Sequence, residues 1–488
     1  MRFLILLTIS FSLIACTKSP HQKVVWQASF PNLGSSSSPR CIDLNGDEIF
    51  DCVIGAGLNE FDTTDSSVIA LNGKDGSVLW AIAGSDQVVG TPTFVDLSGD
   101  GAPDVVIGGR GAQLYAINGR TGKLLWQYQI ENNDYDTKGY IRFNFYTPQI
   151  LEDVNNDLVP DILVSNGGNF AADPVSGNSR YPGVLAILSG ANGAIIAADT
   201  MPDGRETYMS PLIYKQANTG QKRIVYGSGG ETFGGHLYQT TLANLLSNNI
   251  SESTILLARE NHGFIAPPTV TDITSDGFED LIVNWHGGEM IALDGVTNQV
   301  VWQQDFPDTE VYASPTPGDV NDDKIPDFFT PFTLGAWPKY TDAIQVVIDG
   351  KTGSILYQDT IGCASFSSAL AYDTDNDGSS EFIYSTNDYN CRGIYLGNST
   401  YSLRLLDIND NRHDQIIPTI TAKNQFSTPW IGDMDQDSQL DLVFCIQSNY
   451  NDVFSYYGMQ VVRMDLNINV NAKKSWTQYL GLDGSGVY

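Results

Sequence analysis

Residues 96–126 read DLSGDGAPDVVIGGRGAQLYAINGRTGKLLW, an acidic loop followed by a run of short apolar strands. Its first nine residues carry oxygen-bearing side chains at positions 1, 3, 5 and 9: Asp96, Ser98, Asp100 and Asp104. The apolar run Val105-Val106-Ile107 follows and stops at a glycine pair. An alternating strand, an Asn118-Gly119 turn and a second strand ending at Trp126 then read as a β-hairpin.

The unit recurs along the chain. Nine-residue loops start at Asp43 (DLNGDEIFD), Asp153 (DVNNDLVPD), Asp272 (DITSDGFED), Asp319 (DVNDDKIPD), Asp373 (DTDNDGSSE) and Asp433 (DMDQDSQLD). Successive starts lie 47–60 residues apart, except for one doubled interval of 119 after Asp153. That gap implies a copy that has lost its motif. A proline usually stands four residues before the first Asp, as Pro39, Pro92, Pro268, Pro315 and Pro429 do. Counting from Pro211 puts the lost loop at Lys215 with Arg223 in ninth place, so both outer carboxylates have become cations. The hairpin half recurs as IALNGKDGSVLW (69–80), IALDGVTNQVVW (291–302), VVIDGKTGSILY (346–357) and, more weakly, AILSGANGAIIA (186–197). Short strands with turn signals at this period predict an all-β chain. It is a β-propeller with four-stranded antiparallel blades, eight by this count and seven as the alternative. Val24-Val25-Trp26-Gln27 looks like an outer strand with no repeat before it and could close the last blade, although Trp476 competes for that place.

The acidic loops suit calcium, which takes six to eight oxygen ligands at about 2.3–2.6 Å. Alternate residues of a tight loop turn their oxygens inward, position 7 offers a carbonyl, and position 9 can bind through both oxygens. The candidate ligands are Asp43, Asn45, Asp47 and Asp51; Asp96, Ser98, Asp100 and Asp104; Asp153, Asn155, Asp157 and Asp161; Asp272, Thr274, Asp276 and Asp280; Asp319, Asn321, Asp323 and Asp327; Asp373, Asp375, Asp377 and Glu381; Asp433, Asp435, Asp437 and Asp441. Asp and Asn are good turn formers without any metal, but seven loops in one register point to an ion. Loops with Asn or Thr at position 3 should bind more weakly than the sixth and seventh. The expected role is structural.

The loop half resembles the FG-GAP/VCBS-type repeat of integrin α-subunit propellers and their bacterial relatives. The hairpin half resembles the tryptophan-docking (PQQ-like) repeat of quinoprotein-like propellers. Together the resemblances cover nearly all of residues 24–480. They imply architecture and calcium loops, and they leave activity open, because propellers host many functions.

The chain opens with Met1-Arg2, an apolar run from Phe3 to Ala15, and Cys16. That is a secretory signal, too short to span a bilayer as a mature helix. Leu13-Ile14-Ala15-Cys16 resembles the lipobox of bacterial lipoproteins, which implies a signal peptide over 1–15, lipidation of Cys16 and a tether over 16–23. The propeller then fills 24–488 as one domain. Thr17, which is not Asp, implies sorting to the outer membrane by the same resemblance.

The formal charge is −31, from 26 basic and 57 acidic residues. This argues against nucleic acid and against electrostatic binding to anionic lipid, leaving the anchor as the membrane contact. Besides Cys16 the cysteines are Cys41, Cys52, Cys363, Cys391 and Cys445. Cys41 and Cys52 bracket the first acidic loop at positions occupied elsewhere by apolar pairs such as Phe94 with Val105. In an oxidising compartment a Cys41–Cys52 disulfide is expected, against two buried thiols. Cys363 with Cys391 is a weaker pairing, which would leave Cys445 free.

An enzyme is poorly supported. The quinoprotein resemblance would call for an adjacent Cys pair, and there is none. No GxSxG elbow occurs. His286, in NWHGGEM just after a strand, reads as a satisfied loop residue, with a general base as the alternative. Polysaccharide lyases of one group are calcium-rich propellers, but this chain is sparing with the basic residues their chemistry needs. Three irregular inserts are rich in aromatics: Glu131–Tyr146 (Tyr135, Tyr140, Phe143, Phe145, Tyr146), Thr333–Tyr340 (Trp337, Tyr340) and Asn449–Tyr457 (Tyr450, Phe454, Tyr456, Tyr457). They suit sugar stacking or a protein hot spot, or else packing between blades. The reading is a monomeric, non-catalytic, calcium-stabilised scaffold on the cell envelope that recognises a protein or glycan. A calcium-dependent glycan-active enzyme is the alternative.

Overall fold

A computed structural model describes residues 23–488 except 59–60, 129–140, 170–171, 174–176, 178–179, 218, 338, 389–398, 425, 449–457 and 472. Every sheet in it is antiparallel; seven contain four strands in chain order, or five where the first strand is split, and the eighth takes its outermost strand from the start of the chain. There are eight sheets, so the ring has eight blades. The acidic loop joins the first strand of a blade to the second, as between Arg40–Ile42 and Asp51–Gly55. The degenerate copy forms a full blade from Leu212–Lys215, Lys222–Gly227, Gly235–Thr241 and Thr254–Arg259. Its register pairs Tyr214 with Arg223, as Ile42 pairs with Asp51 in the first blade. The lost loop therefore sits where the spacing puts it. Among the described residues the one helix is the short Leu242–Leu246.

Ring closure uses the first strand of the chain. Lys23–Phe30 pairs with Met459–Asn469 as the outermost strand of the eighth blade. Trp476 does not take that place. It is buried and exchanges backbone hydrogen bonds with Ala371, on the innermost strand of the seventh blade. From there the C-terminal segment crosses the channel against the innermost strands of other blades. The Thr477 carbonyl accepts from the Ile431 amide, the Tyr479 carbonyl from Arg40, the Gly484 carbonyl from Gln149 and the Gly486 carbonyl from the Val270 amide.

Neighbouring blades are joined by docked tryptophans. The indole N–H of Trp80 donates to the Gly119 carbonyl, Trp126 to Gly190 and Trp302 to Gly350, each at 2.7 Å. Trp26 does the same to Gly73 and so links the eighth blade to the first. Each indole lies on the second hairpin glycine of the next blade. A Cβ at Gly122, where φ is +67°, would fall 2.4 Å from Trp80. A second belt lies nearer the axis, where the Ser37 hydroxyl donates to the Gly90 carbonyl, Thr269 to Pro315 and Thr316 to Ala369.

Candidate functional site

The seven acidic loops share one backbone. Positions 4 and 6 are left-handed in every loop, with φ between +57° and +99°. Four of the residues at position 6 are not glycine: Glu48, Leu158, Lys324 and Ser438. Such conformations cost of order 1 kcal/mol each for an L-residue and persist only where the surroundings over-determine them. The acidic side chains supply that constraint. In all seven loops the first Asp accepts the position 6 N–H and the fifth-position Asp accepts the position 7 N–H. The ninth carboxylate accepts the position 2 N–H in all seven. In five blades its other oxygen accepts the N–H of a hairpin glycine: Gly73, Gly119, Gly190, Gly295 or Gly350. In these five repeats one carboxylate thus ties the two halves together.

The loops differ in what faces their carboxylates. In the sixth, one oxygen from each of Asp373, Asp375, Asp377 and Glu381 lies within 4.8 Å of the others. The buried Asp373 Oδ1 and Glu381 Oε1 have no hydrogen-bond partner among the described residues. Burial pushes Glu381 up to about 7, Asp327 up to about 7 and Asp51 up to about 6. Asp433, Asp435 and Asp437 cluster in the same way in the seventh loop. There, however, the buried guanidinium of Arg463 reaches in, with Nε 2.7 Å from Asp441 and Nη2 2.5 Å from Asp435. In the second loop the Asn118 amide donates to Asp100 and Asp104, and in the fifth Asn321 donates to Asp327 and Asp349.

Cys41 and Cys52 face each other across the first two strands of the first blade, with Cα atoms 4.2 Å apart, and are joined by a disulfide. Cys363 is also disulfide-bonded; Cys391 and Cys16 lie outside the described residues. Cys445 is a buried free thiol whose pKa burial raises to about 12.

The face opposite the acidic loops carries a central funnel, with a cavity of about 260 Å³. Its wall has a register. Ser36, Val89, Tyr146, Tyr208, Ile265, Tyr312, Phe366 and Phe426 each stand seven residues before the first loop position of their blade, and all eight line the cavity. Five are aromatic, from blades 3, 4, 6, 7 and 8. Arg110 and Glu231, from turns after second strands, add one charge of each sign, and Tyr479 of the C-terminal segment also lines the cavity. Burial raises the Glu231 carboxyl. The Tyr312 hydroxyl stands 3.1 Å from Glu231 and 3.4 Å from Glu310.

Of the aromatic inserts, Tyr146 lines the funnel, while Phe143 and Phe145 are buried, Phe145 in the third-blade core. Tyr340 is buried against Phe366, and Trp337 is 37 % exposed beside it. Tyr135, Tyr140, Tyr450, Phe454, Tyr456 and Tyr457 lie outside the described residues. His286 departs from the expected satisfied loop residue. It is wholly buried, its Nδ1 lies 3.0 Å from the Val311 carbonyl, and its Nε2 has no hydrogen-bond partner among the described residues. Burial drives its pKa down to about 3, so it is neutral.

A family model described as "Outer membrane protein assembly factor BamB" matches residues 6–202, fewer than half of the chain. No curated protein matches. Among solved structures, a europium-containing methanol dehydrogenase superposes with a TM-score of 0.60 at 10% identity, covering 93% of this chain and 95% of that one. Quinohemoprotein alcohol dehydrogenase from Comamonas testosteroni gives 0.58 at 9%, over 96% and 80%. BamB from Moraxella catarrhalis gives 0.47 at 12%, over 91% and 99%. The chain has no adjacent Cys pair. The chain is an eight-bladed β-propeller of the architecture seen in these dehydrogenases, and its first repeats match the BamB-type repeat family.

Proposed function

We propose that this protein is a non-catalytic, calcium-stabilised binding or assembly scaffold of the bacterial envelope, anchored through a lipid on Cys16, that receives a protein or glycan in its funnel. The observation that carries the reading is the one-sided aromatic wall. Five rings at one repeat position, with Arg110 and Glu231 between them, give a concave surface suited to an anchored hot spot. The partial match to an outer membrane assembly factor favours a protein partner and an outer-membrane address.

Calcium would hold the opposite face. The shared backbone, the unpartnered oxygens of the sixth loop and the net charge all favour a cation there. Arg463 supplies a resident positive charge to the seventh loop, so the sixth is the strongest calcium candidate and the seventh the least dependent on metal. The FG-GAP-type resemblance is consistent with this division.

A photo-reactive residue in place of Trp337 at the rim, with Leu356 on an outermost strand as control, tests the scaffold reading in envelope preparations. One defined protein cross-linked from the rim and not from the control supports it. Turnover of any member of a polysaccharide panel by the purified chain would replace it with the glycan-active alternative.

A further inference from the structure

Three side chains at the edge of the funnel have no part in the reading above. His262 lies in the connection between the fourth and fifth blades, His286 directly follows the second strand of the fifth blade, and Glu310 ends the short strand Thr309–Glu310 of the sixth. The three come from distant points in the sequence, yet one ligand atom from each lies within 4.8 Å of the other two. We propose that His262, His286 and Glu310 bind a divalent transition-metal ion of the zinc class in the funnel wall.

The hydrogen bonds around the cluster argue for it. His286 Nδ1 meets the Val311 carbonyl, and His262 Nδ1 meets the Glu231 carbonyl. A carbonyl only accepts, so each Nδ1 carries the proton and each Nε2 keeps its lone pair. That is how metal-ligating histidines are held: the second ring nitrogen donates to a backbone carbonyl, which fixes tautomer and ring orientation. The His286 lone pair is the decisive one, fully buried, without a partner among the described residues, and 3.9 Å from Glu310 Oε2. An unpaired polar atom in such a place is costly unless something fills the gap. Glu310 is held just as firmly, since Oε2 accepts from the Tyr340 hydroxyl at 2.5 Å and the Trp337 amide at 3.0 Å.

Charge points the same way. Glu231 and Glu310 both approach the Tyr312 hydroxyl, which has one proton to give. A cation bound there would offset the charge of these two neighbouring carboxylates. Two imidazoles and one carboxylate are a zinc-type set that leaves a coordination position open, whereas calcium and magnesium prefer all-oxygen sites. Zinc bonds of about 2.0–2.1 Å require the donors to close in from their present spacing. His262, which is only partly buried, has room to make that movement. Glu231 and Tyr312 line the funnel and contact the cluster, so the site lies next to whatever enters the funnel. The acidic loops play no part, because they lie on the other face.

The test uses the full chain in detergent, saturated with calcium so that the acidic loops are occupied, and titrated with Zn²⁺ and separately with Co²⁺. The expected result is one tightly held Zn²⁺ per chain and intense visible Co²⁺ bands of four- or five-coordination. His262→Ala and Glu310→Gln should each weaken binding at least tenfold while the circular dichroism of the metal-free protein stays unchanged. Absence of stoichiometric Zn²⁺ binding by the wild-type chain would overturn the proposal. So would undiminished binding by both variants. Loss of the cross-linked partner without loss of Zn²⁺ would count against the scaffold reading alone.

Discussion

At the scale of single residues, the docked tryptophans carry the most information per side chain. Trp80, Trp126 and Trp302 stand at the ends of hairpin motifs, and that position was legible because the hairpin half recurs as an apolar strand, an Asn-Gly or Asp-Gly turn and a second strand ending in Trp. Their hydrogen bonds to glycines a blade away were not legible, since they connect residues 39 to 64 positions apart. Replacing Trp126 by Phe keeps most of the buried area and removes the N–H that serves the Gly190 carbonyl. A buried acceptor left unsatisfied costs about 1–3 kcal/mol, and Trp126→Ala should cost about 3–5 kcal/mol. Denaturant unfolding of the two variants checks both figures; equal stability of Trp126→Phe and wild type would show that the hydrogen bond contributes nothing. His286 shows the opposite limit of legibility. Its sequence neighbours suggest an ordinary loop histidine, and only the fold reveals that one of its nitrogens has no hydrogen-bond partner among the described residues.

At the scale of elements, the acidic loop and its hairpin form one device joined by the ninth carboxylate. Because burial raises Asp51, Asp327 and Glu381, these groups hold protons more tightly in the folded than in the unfolded chain. Their contribution to stability is complete below their unfolded values of about 4 and is lost as the pH rises through about 6–7. Calcium bound by the ionised carboxylates would remove that loss. In excess chelator the melting temperature should therefore fall between about pH 5 and pH 8, and in millimolar calcium the fall should disappear. Parallel pH profiles in both conditions would rule this out if they coincide. The 1-3-5-9 register was readable because all its oxygen-bearing positions belong to one short segment. Arg463 was not, since it reaches the seventh loop from a strand 22 residues beyond Asp441. Removing its charge, as in Arg463→Met, strips a cation from two carboxylates, one of them buried. Breaking a buried pair costs about 3–5 kcal/mol. Calcium should restore part of that loss in the variant, a rescue that a thermal shift assay reads directly.

At the scale of the whole molecule, eight similar blades make a ring that is unlike on its two faces. Repeat number and order followed from the spacing, including the blade whose loop has become Lys215 to Arg223. Two features depend on closing the circle and so escaped a linear reading. One is the C-terminal segment, which leaves the eighth blade and crosses the channel. Deleting residues 476–488 should lower the melting temperature by several degrees, because it removes the buried Trp476 and uncovers Arg40; an unchanged temperature would mean that the channel does not need its crossing segment. The other is the funnel wall, built from one repeat position whose residue changes from Ser36 to Phe426. The position becomes visible only when the repeats are aligned on their loops, because the residues there share neither size nor polarity.

We propose that calcium in the loops of one face holds this ring together while the other face is presented to a partner. Differential scanning calorimetry of the full chain at neutral pH, in millimolar calcium and in excess chelator, tests it most directly. A ligand bound only to the folded state at 100 times its dissociation constant stabilises by about 2.7 kcal/mol per site, so several occupied loops should raise the melting temperature by many degrees. Coincident transitions in calcium and in chelator would show that no loop-bound ion stabilises the ring.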